Sequence, residues 1–418
     1  MLGTSAKGLR RIAAAVWILG IGLGIVPGIM ASAPARGDEG GPGSFDPYSY
    51  SNDAGTRPYR VYVPPTYTAA AMPLLVDLHG CSSNALEEAR WSRFNEVAAA
   101  RGFLVAYPEQ DPNANGSRCW NWFEPANQFR DAGEPSIIAG ITRAVMKRWK
   151  VDPRRVYVFG ISAGGAMSNI MAVTYPDLYA AAGVYAGCEY RGLPCMGAQS
   201  AVPPETSGQW AHEAMGPRAR VVPLIVIQGD SDPLVPAANA ELTVQQWLTS
   251  DDLADDGSNN ATVPRTRAST QSAAKPGGRA YEIDYYTDKG GCVLVERWLI
   301  HGMGHQWSNA TSNGSARDVI FTDPLGPDIT PRISDFLMTH PMPTRGTVCL
   351  SEAAVSPAAA NSVAGAKAGA RALASKIPAT GGGPEQTVGV TALAIGLLVA
   401  SRRRVGGRDS RGCAESET

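Results

Sequence analysis

Short apolar runs alternate with longer amphipathic stretches through the middle of the chain. Strands that are buried on both faces of a sheet are nearly continuous apolar runs. Runs of this kind occupy residues 73–79, 103–107, 156–159, 181–186 and 223–228. The stretches between them that predict helices are 85–100, 134–150 and 163–175. This alternation predicts an α/β fold in which helices flank a mostly parallel central sheet.

Strands of a different kind are predicted at both ends of this region. Residues 59–63 alternate between apolar and polar positions and stop at two prolines. Residues 281–286 and 293–300 are expected to form a strand pair. Residues 251–280 are rich in Ser, Asn and Asp and have no periodicity, so we expect a surface excursion there.

The N-terminal region differs in composition from this body. Basic residues precede a long apolar run, and small residues follow it, which predicts a signal peptide over residues 1–35. An uncleaved membrane anchor is the alternative, and both predict export. Residues 36–58 are rich in Gly, Pro and Ser and predict a poorly ordered linker. The catalytic domain is expected over residues 59–350.

The C-terminal region predicts attachment to the cell surface. Residues 351–376 form an Ala/Ser-rich spacer with too few large apolar residues to pack a core. Residues 377–418 combine a pentapeptide, an apolar segment and a basic tail, an arrangement that looks like a sortase sorting signal. Ile377 departs from the usual leucine. We expect attachment to the cell wall through Thr380, with a retained membrane anchor or free secretion as alternatives.

Charge and cysteine content narrow the possible partners and the compartment. A net charge of −1 and a charged fraction of 18% argue against nucleic acid or an anionic membrane as the main partner. Separately, we expect the protein to be a monomer. Six of the seven cysteines lie in the predicted domain, an even number that suits disulfides in an exported protein. The connectivity does not follow from a sequence. The pairs that we favour are Cys188–Cys195, by proximity, then Cys81–Cys119 and Cys292–Cys349.

The strand at residues 156–159 runs into a glycine, a serine and a helix of small residues. This G-x-S-x-G pattern predicts a sharp strand-to-helix turn with Ser162 at its apex. Gly160 and Gly164 would let strand and helix approach closely while Ser162 takes a strained backbone conformation. Ser162 is then a candidate nucleophile, and the Ala163 amide a candidate oxyanion donor. An ordinary glycine-rich turn is the alternative.

A second candidate donor follows an earlier strand. His79-Gly80-Cys81 ends the run at 73–79, and the Cys81 amide is placed to complete an oxyanion hole. A plain strand-to-helix turn with a capping serine is the alternative. Trp120 and Trp122 lie on a predicted loop, where they would line a substrate cleft or simply cover the edge of the core.

An acid and a histidine follow the later strands. Asp230 and Asp232 come after the strand at 223–228, where a carboxylate can orient a histidine. Asp232 is the preferred acid, and Asp230, which lies nearer the strand end, is the alternative. His305 follows the strand at 293–300 and is the candidate general base. A metal site at His301 and His305 is disfavoured, because intervening glycines make a helix improbable and no third ligand lies nearby.

Together these motifs resemble the esterase family of extracellular poly(3-hydroxybutyrate) depolymerases, and feruloyl and acetylxylan esterases are similar relatives. The motifs that carry the resemblance are Gly160–Met167, His79-Gly80-Cys81, Cys119–Trp122 and Gly302–Trp307. It covers about residues 59–340 and implies an α/β-hydrolase fold. The implied catalytic groups are Ser162, Asp232 and His305, with oxyanion amides at Cys81 and Ala163, and no cofactor or metal.

The resemblance also guides the expected substrate. It implies hydrolysis of short-chain esters, hydroxyalkanoate oligomers or polymer first, with feruloyl or acetylated polysaccharide as the alternative. A non-catalytic surface protein is a third hypothesis. His79, Trp120, Trp122 and Trp307 are the expected substrate contacts. Gln228 departs from the histidine that is frequent in the family at that position. No polymer-binding domain is visible, so we expect soluble oligomers to be better substrates than crystalline polymer.

Overall fold

A mixed sheet of ten strands forms the centre of the protein. The computed structural model describes residues 41, 43–310, 312 and 314–343. The strands of the sheet are β1 (Phe45–Asn52), β2 (Gly55–Tyr62), β3 (Met72–Leu78), β4 (Leu104–Pro108), β5 (Val151–Ile161), β6 (Ala181–Tyr185), β7 (Leu224–Gly229), β8 (Ser269–Ala274), β9 (Ala280–Thr287) and β10 (Val293–Ile300). Their order is β1-β2-β4-β3-β5-β6-β7-β10-β9-β8. The six strands from β4 to β10 in this order run parallel, and the outer pairs are antiparallel.

Helices cover both faces of the sheet. The helices are α1 (Ala85–Ser92), α2 (Phe94–Arg101), α3 (Gly133–Arg148), α4 (Ala163–Thr174), α5 (Pro204–Met215), α6 (Ala238–Asp256), α7 (Ala316–Phe321) and α8 (Ile329–Met338). A second, two-stranded sheet pairs β11 (Trp307–Ser308) with β12 (Thr322–Asp323) in parallel. The expected arrangement of helices around a largely parallel sheet is therefore present.

Alternation along the central strands divides the core into two layers. In β5, Val156 and Val158 belong to one buried cluster, whereas Tyr157 and Phe159 belong to the other. All four side chains have no exposed surface. Burial of each such side chain contributes roughly 1.5–3 kcal/mol. Because β5 is packed on both sides, its position, and that of the residue that follows it, is fixed from both faces.

The N-terminal edge of the domain differs from the sequence prediction. The predicted linker over 36–58 contains β1 and the first part of β2, which form an antiparallel hairpin. Tyr48 and Tyr50 pack against the core from β1. Alternate tyrosines give one apolar face of a strand, a signal that the Gly and Pro content of this segment obscured.

Two further predictions, one of a single helix and one of a surface excursion, also needed correction. The single helix expected over residues 85–100 is two helices, because Arg93 between them adopts a left-handed backbone conformation with φ 57°. The expected surface excursion over 251–280 begins inside α6 and includes β8. Asp251 and Asp252 of α6 are fully buried, so polar residues there do not mark a surface loop.

The carboxyl ends of the parallel strands share one edge of the sheet. The segments that follow β3, β5, β7 and β10 therefore meet at that edge, and they carry the candidate residues from the sequence. Within the described part of the chain, no helix has the length and apolar character that a membrane span requires. The predicted signal peptide, spacer and sorting-like tail, with Thr380 and Cys349, lie outside the described residues.

Candidate active site

Ser162 lies between β5 and α4 in a strained backbone conformation. Its φ is 59° and its ψ −123°, a combination that non-glycine residues rarely adopt. The Ser162 N–H donates to the Tyr185 carbonyl at 2.8 Å, and the Ser162 carbonyl accepts from the Ala166 N–H at 2.9 Å. These bonds hold the turn, whose strain costs of order 1–3 kcal/mol. Strain of this kind is typical of a nucleophile elbow.

The glycines beside Ser162 are required by close packing. A Cβ on Gly160 would collide with the Gly164 carbonyl, and one on Gly164 would collide with the Leu78 and His79 carbonyls. Helix α4 therefore begins almost in contact with the backbone of β3 and the turn after it. As the first residue of α4, Ala163 has no intrahelical acceptor for its N–H.

The turn after β3 lies against Ser162. A Cβ on Gly80 would be 3.2 Å from the Ser162 Cβ. The Gly80 carbonyl is held from two sides, by His79 Nδ1 at 2.7 Å and by the Ser83 hydroxyl at 2.9 Å. Because the C=O and the next N–H of a trans peptide point in opposite directions, this clamp turns the Cys81 N–H away from His79 and Ser83.

His79 is a structural part of this turn. Its side chain is fully buried, and burial lowers its pKa to about 4. Nε2 accepts from the Gln110 N–H at 2.9 Å, so the neutral ring carries its proton on Nδ1 and donates it to Gly80. The prediction of a substrate contact at His79 does not fit this burial. The geometry gives His79 a positioning role.

Asp232 and His305 meet after β7 and β10. The His305 Nδ1 lies 2.7 Å from Asp232 Oδ2, and the Asp232 side chain has no exposed surface. Burial alone would raise the pKa of Asp232, but the hydrogen bonds and charge of His305, with the Leu234 and Val235 amides, hold it below its usual value. Gln228 Nε2 also donates to Oδ2, at 3.0 Å. The carboxylate is therefore ionised and fixed against His305.

The alternative acid, Asp230, pairs with a different histidine. Asp230 Oδ2 lies 2.9 Å from His301 Nδ1, and Oδ1 accepts from the Gly302 N–H at 2.7 Å. Both side chains are about one-third exposed. Asp230 thus holds the start of the segment that carries His305, while Asp232 contacts His305 itself. In the described chain, no group of three or more His, Cys, Asp or Glu side chains is arranged to hold a metal.

One residue, Tyr185, connects the serine turn to the histidine segment. Its carbonyl accepts from Ser162, as described above, and its hydroxyl donates to the Gln306 carbonyl at 2.8 Å. The Ser308 N–H donates back to the same hydroxyl at 3.0 Å. Tyr185, Gln228 and Ser83 were missed by the sequence reasoning. Gln228 was noted only as a departure from a family pattern.

The expected aromatic contacts are buried in the core. Trp120 and Trp307 have 0% and 1% of their surface exposed, and Trp122 has 5%. Trp307 packs against Phe159 and Tyr185 under the histidine segment. For Trp120 and Trp122 the structure therefore favours the alternative in which the rings cover the core, and the burial of Trp307 does not fit the substrate contact expected of it. Phe129, on the same loop as Trp120 and Trp122, is half exposed.

Two of the expected disulfides are present. Cys81 is bonded to Cys119, and Cys188 to Cys195. The first links the turn after β3 to the loop that carries Trp120 and Trp122. The third pairing, Cys292–Cys349, stays a prediction, since its second cysteine is outside the described residues.

Comparison with known proteins gives a consistent family. Residues 57–275, just over half of the chain, match the family model described as Esterase PHB depolymerase. Poly(3-hydroxyalkanoate) depolymerase C of Paucimonas lemoignei is 32% identical over 254 residues, which cover 58% of this chain and 56% of that protein. An acetylxylan esterase of Coprinopsis cinerea is 40% identical over 116 residues, 27% of this chain and 30% of that protein. The matches thus span about half, or less, of the length of these relatives.

A solved structure shows the same architecture. The acetyl xylan esterase from Aspergillus awamori superimposes with a TM-score of 0.53 at 23% identity, covering 63% of this chain and 94% of that one. At this identity the likeness concerns the fold alone.

Proposed function

The chain belongs to the Esterase PHB depolymerase family and has the α/β-hydrolase fold, and on this basis we propose that it is a serine esterase that transfers the acyl group of a short-chain carboxylic ester to water. The observation that carries the proposal is the 2.7 Å contact between Asp232 and His305, at the same edge of the sheet as the strained Ser162. The order Ser, Asp, His along the chain is that of α/β-hydrolases.

In the proposed reaction, the Ser162 Oγ attacks the ester carbonyl carbon while His305 Nε2 takes the hydroxyl proton. Asp232 keeps the other His305 proton on Nδ1, so that Nε2 is free to accept, and its charge stabilises the imidazolium that forms. The proton on Nε2 then passes to the leaving alcohol. Water attacks the acyl-enzyme in the same way, and the product acid leaves.

Two backbone amides would bind the oxyanion. The Ala163 N–H lies at the start of α4, and the Cys81 N–H faces away from the clamp on the Gly80 carbonyl. Loss of one such donor typically lowers the rate by about 10²–10³-fold. Because His79 and Ser83 fix the peptide before substrate arrives, no reorganisation is needed when charge develops.

We propose hydroxyalkanoate oligomers or polymer as the first substrate class, as the name of the depolymerase relative suggests. Acylated plant polysaccharide, including feruloylated and acetylated xylan, is the second candidate, favoured by the higher local identity to an acetylxylan esterase. We also propose that the protein is exported and held at the cell surface by its C-terminal tail, with sortase processing at Thr380.

Hydrolysis of p-nitrophenyl acetate and butyrate by the wild-type chain and by two variants tests the proposal. Ser162→Ala and His305→Ala should each lower kcat by about 10⁴–10⁶-fold, and the double variant should lose little more, because the two groups act as a unit. Substantial turnover by Ser162→Ala would contradict the assigned nucleophile. A product screen across hydroxyalkanoate trimers, polymer film and acetylated or feruloylated xylan then separates the two substrate classes.

A further inference from the structure

A buried carboxylate at the start of α3 accepts hydrogen bonds from β2 and from two points of the loop after β4. Glu134 is the second residue of α3, and only 4% of its surface is exposed. Its Oε1 accepts from Arg57 Nη2 at 3.1 Å, from Asn121 Nδ2 at 2.8 Å and from Gln110 Nε2. Its Oε2 accepts from the Asn121 N–H at 2.7 Å. A carboxylate with this many donors, at a helix N-terminus that favours negative charge, is fixed in one orientation.

Gln110 connects this carboxylate to the turn after β3. Gln110 is fully buried, and its side-chain amide donates to Glu134. Its backbone N–H donates to His79 Nε2 at 2.9 Å. His79 in turn donates from Nδ1 to the Gly80 carbonyl, which belongs to the same peptide group as the Cys81 N–H. A shift of Gln110 would therefore move the clamp that orients the Cys81 amide.

A second route leads from the same carboxylate to Cys81 itself. The Cys81–Cys119 disulfide ties the turn to the loop after β4. The Cys119 carbonyl accepts from Gln110 Nε2 at 2.8 Å. Asn121, two residues further along, is bonded to Glu134 by both its backbone and its side chain. The Cys81 side chain and the carbonyl that precedes the Cys81 N–H are thus held by two routes that meet at Glu134.

We propose that Glu134 is a positioning residue for the oxyanion hole, an inference that rests on the esterase function proposed above. It fixes the Cys81 N–H through Gln110 and His79 on one route and through the disulfide on the other. Because Glu134 is buried, it acts through these residues and not on the substrate. Donors stabilise an oxyanion most when they are aimed at its position before charge develops. The Glu134 network supplies this preorganisation for one of the two proposed amides.

Replacement of Glu134 by glutamine disturbs the network with almost no change of shape. The partners named above are all donors, so a carboxamide can satisfy only one of the two oxygen positions. If its oxygen replaces Oε1, its NH₂ faces the Asn121 N–H, and if its oxygen replaces Oε2, its NH₂ faces Arg57 and Gln110. A displacement of about 1 Å near reacting groups can cost about 10²-fold in rate. We therefore expect kcat on p-nitrophenyl butyrate to fall by about 10- to 100-fold, with KM little changed.

Comparison of an oxo ester with its thiono analogue distinguishes a disturbed oxyanion hole from a general loss of structure. Sulfur is a weaker hydrogen-bond acceptor than oxygen, so the thionoester gains less from the two amides. The ratio of kcat/KM for p-nitrophenyl butyrate to that for its thiono analogue should be about tenfold smaller in Glu134→Gln than in the wild type. Asp284→Asn is the matched control, because Asp284 of β9 is a similarly buried carboxylate that accepts from Arg267, Thr270 and Arg297. It should lower the melting temperature, as Glu134→Gln does, but leave the ratio unchanged.

A double-variant cycle tests whether Glu134 acts through the clamp. If Glu134 and His79 hold the same amide, the chain with both Glu134→Gln and His79→Gln should lose little more kcat than the more impaired single variant. Losses that multiply would overturn the inference. Gln110→Met is a second variant in case Glu134→Gln does not fold, because it removes the side-chain bonds of Gln110 and leaves the pair of Arg57 and Glu134 in place. It should shift the oxo-to-thiono ratio in the same direction, and an unchanged ratio would contradict the proposed role.

Hydrogen exchange separates this inference from the proposed activity. The Ser82 N–H donates to the Ser117 carbonyl at 2.7 Å, so exchange in peptides that cover residues 79–83 reports how firmly the turn is held. Glu134→Gln should speed this exchange by about tenfold, and Asp284→Asn should not. If the wild type hydrolyses esters but Glu134→Gln keeps its kcat, its ratio and its slow exchange, the positioning role is overturned and the esterase function stands. If no ester is hydrolysed, the esterase function fails, and the exchange result alone decides whether Glu134 holds the turn.

Discussion

Replacement of Asp232 or Asp230 by asparagine gives the sharpest test of which acid serves His305. Both aspartates follow β7 and both contact a histidine, but the contacts differ. Asp232 touches His305 with a fully buried carboxylate, whereas Asp230 touches His301 with a partly exposed one. The two variants are nearly isosteric with the wild type, so each changes hydrogen bonding more than packing.

The structure predicts how an asparagine at position 232 would be oriented. Oδ1 of Asp232 accepts from the Leu234 and Val235 amides at 2.8 and 2.9 Å, so the amide oxygen of Asn would stay there. Its NH₂ would then replace Oδ2 and face His305 Nδ1 and Gln228 Nε2, which both donate to the wild-type carboxylate. His305 could meet this NH₂ only with a bare Nδ1, which forces its proton onto Nε2. Nε2 would then be unable to accept the proton of Ser162.

A change of this kind in a Ser-His-Asp site lowers kcat by about 10⁴-fold. We therefore expect Asp232→Asn to lose about four orders of magnitude in kcat on p-nitrophenyl butyrate with little change in KM. Asp230→Asn should lose less than about tenfold, because it loosens only the start of the histidine segment. Circular dichroism and thermal denaturation of both variants check that the fold survives. Equal losses, or a larger loss at Asp230, would refute the assignment.

Two further predictions concern the stability of the framework around the site. The pKa of His79 is near 4 in the folded chain but about 6.5 in the unfolded chain, so the unfolded chain binds a proton first as the pH falls. The free energy of unfolding, measured by denaturant titration, should therefore fall between pH 6.5 and 4 by roughly 3 kcal/mol more in the wild type than in His79→Gln. Replacing Cys81 and Cys119 by serine should lower the free energy of unfolding by about 4 kcal/mol, and replacing Cys188 and Cys195 should lower it by about 2.4 kcal/mol, because the two bridges span 38 and 7 residues. The reverse ranking in denaturant titrations would contradict the loop-entropy model.

The parts of the fold predicted correctly are those in which local pattern and tertiary environment agree. Strands β3 to β7 are apolar because both of their faces are buried, and this property is visible in a few consecutive residues. Helix α6 was missed because its polar residues have partners distant in sequence. Asp251 accepts from the Val222 amide, and Asp252 accepts from the amides of Ala261 and Val263. Such residues resemble surface residues until the chain is folded around them.

The same distinction applies to the candidate site. Ser162 and His305 stand in turns with strong local signatures, whereas position after the strand does not by itself separate Asp232 from Asp230. The substrate residues could not be predicted in this way, because exposure depends on packing. Trp120 and Trp307, which the sequence placed against the substrate, lie beneath the surface.

Tyr185 offers a final test, because its role depends entirely on contacts that the sequence does not reveal. Tyr185→Phe keeps the buried ring but leaves the Gln306 carbonyl and the Ser308 N–H without their hydroxyl partner. The segment that carries His305 should then move, and a displacement of about 1 Å near reacting groups can cost about 10²-fold in rate.

Tyr179→Phe is the matched control, because it removes an equally buried hydroxyl, bonded to Thr142 at 2.8 Å, before the start of β6. Both variants should lose about 1–3 kcal/mol of unfolding free energy. We expect only Tyr185→Phe to lose kcat, by about 10- to 100-fold, with KM little changed. If the two variants lose stability alike and both keep full kcat, Tyr185 is a packing residue and does not position His305.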